Sequence, residues 1–202
     1  MKRLCVYCGS SYGSRPEYKE AALSLAKALR ERDLGLVYGG GDVGLMGVVA
    51  REALTLGCEV TGVITRDLFE REVAFKDLPD LRVVGSMHER KALMAKLSDG
   101  FIAMPGGLGT MDEIFEAMTW TQLGIHAKPC GFLNVEDYYT PLMKFLAHAV
   151  NEGFICEDSL SCAVCDSDPS DLLDAMLSFK PGHMPDKAKL VLAMERGSKS
   201  SV

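Results

Sequence analysis

The stretch GFIAMPGGLGTMDEIFEAM, residues 100–118, decides the fold, because an apolar strand, a glycine turn and an amphipathic helix follow one another in it. Gly100 to Met104 is a short apolar run of the kind buried on both faces of a parallel sheet. Met111, Ile114, Phe115 and Met118 then recur at i, i+3, i+4 and i+7, which makes one side of a helix apolar. Between them stand Pro105, Gly106, Gly107 and Gly109. Such a turn lets the backbone take positive φ and lets a ligand approach without meeting a Cβ, and the helix behind it aims free N–H groups and its positive dipole end at the same spot. An anion, a phosphate above all, fits there. Asp112 and Glu113 fall in what the pattern gives as the first helical turn. They either complement the dipole or sit beside a phosphorylated ligand and handle a proton, a water or a developing cation.

Working outward, the same alternation recurs along the chain. Arg3 to Cys8 and Leu34 to Tyr38 are strands, and each runs into a small-residue loop, Gly9 to Gly13 and Gly39 to Gly47. Helical faces are signalled after Pro16 (Tyr18, Ala21, Ala22, Leu25, Ala26, Leu29) and from Val48 to Leu56. Gly57 to Ile64 and Leu81 to Val84 are further strands, with an irregular polar connection over Thr65 to Val73. Beyond the central stretch come a strand at Pro129 to Leu133, a helix over Tyr138 to Val150, a strand at Ser161 to Cys165 and a helix from Asp168 to Phe179, capped by Asp168 or started at Pro169. This is a Rossmann-like three-layer α/β/α sandwich with a mostly parallel sheet of roughly seven strands, one domain over residues 1–180. Residues 181–202 are expected to be a tail, with a short helix from Asp186 to Arg196 and a disordered Ser/Lys end. In such a fold, loops at the carboxyl edge of the sheet face the ligand crevice, so Gly9, Ser10 and Gly41 become candidate contacts.

The helix after Gly85 carries an anomaly. Leu93, Met94 and Leu97 form its stripe, and Arg90 lies in line with them next to Lys91. Two cations at the start of a helix are opposed by the dipole and call for an anion. Either both reach out to solvent, or Arg90 points into the crevice, where its planar fork holds a phosphate or a carboxylate.

Composition narrows the function. The 202 residues carry a formal charge of −6 and are 48% apolar. The acidic balance disfavours a nucleic-acid binder, no apolar run reaches membrane-span length, and no signal-peptide pattern is present, so a cytoplasmic location is expected. Seven cysteines suit reduced core thiols. Cys5/Cys8 and Cys162/Cys165 have zinc-like spacing but sit in strand-like segments, where residues three apart point to opposite faces, so no metal is expected. The glycine loops lack both the clean dinucleotide spacing and a G-K-[ST] ending, which removes the NAD and P-loop ATPase readings.

Taken together, MHERKALM (87–94), SDGFIAMPGGLGTMDE (98–113) and TWTQLGIH (119–126) resemble the LOG ("Lonely guy") family of cytokinin riboside 5′-monophosphate phosphoribohydrolases. The likeness runs from about residue 2 to about residue 180. It implies hydrolysis of the N-glycosidic bond of AMP or an N6-modified AMP to free base and ribose 5-phosphate, without a cofactor, by a protein that is at least dimeric. Arg90 and Glu113 match the family's catalytic pair. Glu72, Lys91, Gly106, Gly107, Gly109, Thr110 and Thr119 match its substrate contacts. Leu108 and Asp112 depart from the family's usual aromatic residue and glutamate. Three rivals stand beside this reading: a non-catalytic nucleotide-binding or carrier module, a lysine decarboxylase, which is a label that similar proteins have carried, and a single-stranded DNA binder, which the net charge disfavours.

Overall fold

The computed structural model describes residues 1–71 and 74–180. Glu72 and the tail over residues 181–202 lie outside the described residues. In chain order the elements are β1 (Arg3–Tyr7), α1 (Pro16–Glu31), β2 (Gly35–Tyr38), α2 (Gly44–Thr55), β3 (Val60–Thr65), α3 (Arg66–Glu70), β4 (Asp80–Val84), α4 (Met87–Leu97), β5 (Gly100–Ala103), α5 (Leu108–Gln122), β6 (Cys130–Leu133), α6 (Thr140–Asn151), β7 (Ala163–Asp166) and α7 (Pro169–Leu177). The strands form one seven-stranded sheet in the order β4-β3-β2-β1-β5-β6-β7. Every neighbouring pair is parallel.

Side chains alternate along each strand, so the sheet has two cores. One holds Leu4, Val6, Leu36 and Tyr38 against the buried faces of α1, α2 and α7. The other holds Cys5, Tyr7, Val37 and Phe101 against α4 and α5, with Leu142 and Met143 of α6 packed on it. Cys5 and Cys8 therefore fall in different cores on opposite faces, which leaves no geometry for a metal shared between them. From β1 the chain moves outward through β2 and β3 to β4, crosses back along α4 and continues from β5 to β7 in the other direction. The reversal falls between β1 and β5, and ligands bind outside the carboxyl ends of the strands at such a point.

Several boundaries differ from the sequence reading. Helix α2 begins at Gly44 rather than Val48. Gly44 has φ +56°, and a Cβ there would overlap the backbone of Ser10 and Ser11, so a residue with low helix propensity opens the helix for a steric reason. Thr65 to Val73 contains the short helix α3, whose N-cap Thr65 accepts a hydrogen bond from the Leu68 amide. The helix expected over Tyr138 to Val150 is α6, which starts later, at Thr140, after a 3₁₀ turn at Val135–Asp137.

The Asp168 cap is present. Its Oδ1 accepts from the amides of Ser170 at 2.7 Å and Asp171 at 3.1 Å. The helix it caps buries Leu172, Leu173 and Met176. Asp168→Ala is expected to cost about 1 kcal/mol and to lower the melting temperature by about 2 to 4 °C in thermal unfolding.

Candidate active site

The turn between β5 and α5 is built differently from what its glycines suggest. Gly107 is the N-cap, so Gly109 and Thr110 belong to the first helical turn and Asp112 and Glu113 to the second. The dipole effect falls off within the first turn, so charge complementarity no longer accounts for the two acids. None of Gly106, Gly107 and Gly109 has positive φ. Gly106 is needed for close approach, since a Cβ there would overlap Thr110 Oγ1 and come within 2.8 Å of the Gly9 amide nitrogen. Gly107 and Gly109 face open space. The amides of Gly106, Gly107, Leu108, Gly109 and Thr110 donate to nothing among the described residues, and the first bonded amide is Met111, to Gly107 O at 3.1 Å. A row of free N–H groups at a helix mouth is an anion site.

The other loops close around it. The Gly9 amide donates to Pro105 O at 3.0 Å, tying the β1 and β5 loops together at the switch point. The Leu45 amide donates to Gly9 O at 3.1 Å and fastens the start of α2 to the same loop. A cavity of about 310 Å³ opens here, lined by Gly9, Ser10, Ser11, Gly106, Gly107 and, across from them, Tyr18 and Tyr138. Gly41 is not in this wall. It is buried and makes an antiparallel bridge with Ala74.

Arg90 and Glu113 meet. Ser86 caps α4 through the Glu89 amide, and the Glu89 carboxylate reaches back to the Gly85 amide, fixing the turn that presents Arg90. The guanidinium is buried. Nη1 donates to Glu113 Oε1 at 2.8 Å, Nε to Val63 O at 2.9 Å and Nη2 to Gly39 O at 3.3 Å. Gly39 makes room for it, since a Cβ there would overlap Nη2. With Ser86 as N-cap, Arg90 and Lys91 lie beyond the first turn of α4, so it is the burial of the guanidinium rather than the dipole that calls for an anion, and α5 supplies it. Lys91 follows the same rule, with Nζ 3.2 Å from both Asp112 and Glu116. Burial depresses the Lys91 ammonium, but hydrogen bonds and charge from Glu116 and Asp112 outweigh it and its pKa is raised.

The Glu113 pKa is raised as well, but this favours the neutral form. Burial of the carboxylate, only partly offset by the charge and hydrogen bond of Arg90, lifts it above the ordinary glutamate value. Oε2 has no hydrogen-bond partner among the described residues. The arrangement offers an anion cradle, an ordered carboxylate with one oxygen free, and a cation that holds this carboxylate in place. Thr119 is exposed, and its hydroxyl bonds back to Phe115 O at 2.7 Å, so it does not join this cluster within the chain. The sequence reading missed Val63 O and Gly39 O, because backbone acceptors leave no side-chain signature. It also missed the tyrosines that line the cavity, Tyr12, Tyr18 and Tyr138.

Comparison with known proteins agrees with the motifs. A family model described as "Possible lysine decarboxylase" matches residues 46–176. Cytokinin riboside 5′-monophosphate phosphoribohydrolase LOG of Oryza sativa subsp. japonica is 51% identical over 158 residues, 78% of this chain and 65% of that protein. LOG1 of Arabidopsis thaliana, of the same name, is 44% identical over 195 residues, 96% of this chain and 92% of its own. Among solved structures, a molybdenum cofactor binding protein from Rippkaea orientalis superposes with a TM-score of 0.65 at 20% identity, covering 88% of this chain and 97% of its own, a likeness of fold.

The two neighbouring glycines of the turn separate fold from ligand. Gly106→Ala is expected to destabilise the protein by about 1 to 3 kcal/mol through overpacking, whereas Gly107→Ala changes stability by less than about 0.5 kcal/mol. Thermal or urea unfolding of both variants measures the difference.

Proposed function

This chain belongs to the cytokinin riboside 5′-monophosphate phosphoribohydrolase family, and on that premise we propose that it hydrolyses the N-glycosidic bond of a purine nucleoside 5′-monophosphate, AMP or an N6-modified AMP. The products are the free base and ribose 5-phosphate. One observation carries the reading: the Arg90–Glu113 pair at 2.8 Å beside a helix mouth with unbonded amides.

The chemistry follows from that arrangement. As the base leaves, positive charge builds on the ribose; an ionised Glu113 beside the anomeric carbon stabilises it and takes a proton from the attacking water, and the departing base gains one proton in exchange to leave as the neutral purine. Burial out of bulk water strengthens that interaction. Arg90, with each of its three nitrogens bonded to Glu113 or a carbonyl, acts by holding the carboxylate in register rather than by gripping phosphate. The 5′-phosphate takes the amides from Gly106 to Thr110, with Gly9 and Ser10 across from them. Glu72, Gly41, Lys91 and Thr119 enter as positions matching the family's contacts. The reading includes a cytoplasmic homodimer that uses no cofactor or metal and binds no nucleic acid. Exposed Leu123 and Ile125 after α5 offer apolar surface to a second copy.

The decarboxylase description fits less well. A Schiff-base lysine must lose its proton, and the two carboxylates on Lys91 oppose that. Lys128 has a pKa lowered by burial, but its Nζ donates to Ala95 O at 2.7 Å, near the amino end of β6 and away from the crevice. The residues present do not suit pyridoxal phosphate. A carrier that binds the nucleotide without cleaving it is the remaining rival, and incubation with AMP followed by chromatography for adenine separates the two.

Glu113→Gln is expected to lose at least about 100-fold in turnover of AMP while still binding ribose 5-phosphate, and full activity in a folded variant removes the assigned role. The ionised carboxylate is the working form and its pKa is raised. Activity therefore falls as pH drops through a value above that of an ordinary glutamate, which the acid limb of the kcat/KM profile measures. Rates on AMP, N6-isopentenyl-AMP, GMP and CMP define the base.

A further inference from the structure

Three consecutive carbonyls in the turn before α5 are tied down from outside the turn. Met104 O accepts from Tyr139 Oη at 2.7 Å, Pro105 O from the Gly9 amide at 3.0 Å, and Gly106 O from Tyr138 Oη at 2.6 Å. A trans peptide is planar, so its C=O and the following N–H point in opposite directions. Fixing Pro105 O therefore fixes the Gly106 N–H, and fixing Gly106 O fixes the Gly107 N–H. Those are two of the unbonded amides at the helix mouth. Met104 O precedes a proline, which has no N–H to aim, so its bond to Tyr139 anchors the base of the turn.

The tyrosines are themselves held by a strained strap. Glu136 and Asp137 have φ of 51° and 57°, two successive non-glycine residues in the left-handed region. Side chains lock that conformation. Asn134 Oδ1 accepts from the Tyr139 amide at 2.7 Å, Asn134 Nδ2 donates to Thr140 Oγ1 at 3.1 Å, and that hydroxyl donates to Asp137 Oδ1 at 2.8 Å. Arg15 pairs with Glu136 at 2.7 Å and ties the strap to the start of α1. Tyr139 is fully buried, whereas Tyr138 is 39% exposed and lines the cavity with Tyr18, their rings edge to face at 6.0 Å. Local strain that the surroundings over-determine is a feature of sites whose geometry matters.

We propose that Tyr138 and Tyr139 are positioning residues for the anion cradle: through Gly106 O, Tyr138 aims the Gly107 amide that receives the 5′-phosphate of the substrate, and through Met104 O, Tyr139 anchors the base of the turn. The inference rests on the phosphate assignment made above. It does not require that the bound nucleotide be cleaved.

Tyr138→Phe tests it, since the ring stays in the cavity and only the bond to Gly106 O is lost. Calorimetric titration with ribose 5-phosphate and with adenine, and kinetics with AMP, are run on parent and variant, with thermal unfolding as the control. Affinity for ribose 5-phosphate is expected to fall by about three- to tenfold, the worth of one hydrogen bond, with adenine binding unchanged. KM for AMP rises by a similar factor and kcat stays within about twofold, the pattern of lost uniform binding. Unchanged ribose 5-phosphate affinity and KM overturn the proposal. So does an equal loss for adenine and ribose 5-phosphate, which indicates general loosening, and so does a parent that binds no ribose 5-phosphate. If the parent binds ribose 5-phosphate without cleaving AMP and Tyr138→Phe weakens that binding, the hydrolase reading fails and the positioning role stands.

Discussion

A guanidinium buried at the carboxyl edge of a parallel sheet must find acceptors for its donors, because an unpaired buried charge costs several kcal/mol. Arg90 finds them in Val63 O, Gly39 O and Glu113. That requirement links the ends of β2 and β3 to α4 and α5, elements brought together only because the chain crosses back over the sheet. Gly39 follows from it, since any side chain there would displace the guanidinium. So does the ordered position of Glu113, whose burial would otherwise favour its neutral form. A buried ion pair is weak evidence for stability, and this one is better understood as a means of keeping a carboxylate ionised and fixed in a partly desolvated place.

The topology sets the second half of the site beside the first. Strand order reverses between β1 and β5, so the loops that follow them share a crevice, and the hydrogen bond from the Gly9 amide to Pro105 O fastens one to the other. On the proposed function a single helix serves two purposes. The mouth of α5 supplies free amides for an anion, and its second turn supplies Glu113. The two functions lie about 7 to 9 Å apart along the axis at 1.5 Å per residue, the scale of a ribose phosphate.

Much of this was legible in the sequence, for identifiable reasons. Strands buried on both faces leave continuous apolar runs, and the stripes of α1 and α5 have the helical period, so class and element order could be read directly. Arg90 showed itself by lying in an apolar stripe, and the structure explains why: it is buried as the stripe implies, but its anion is Glu113 rather than a ligand. Lys91 showed the same cationic excess and satisfies it with Asp112 and Glu116. What could not be read was what only tertiary structure supplies. The start of α2 at Gly44 depends on the backbone of Ser10, the beginning of α5 at Leu108 contradicts the low helix propensity of Gly109, and the tyrosines that pin the turn lie more than thirty residues from it in the chain.

A crystal structure of the Glu113→Gln variant soaked with AMP tests the central claim most directly. The expected result is the 5′-phosphate on the amides of Gly106 to Thr110 and C1′ of the ribose in contact with the side chain at position 113, with Arg90 still bonded to Val63 O and Gly39 O. A phosphate bound away from those amides, or a ribose out of reach of position 113, would contradict it.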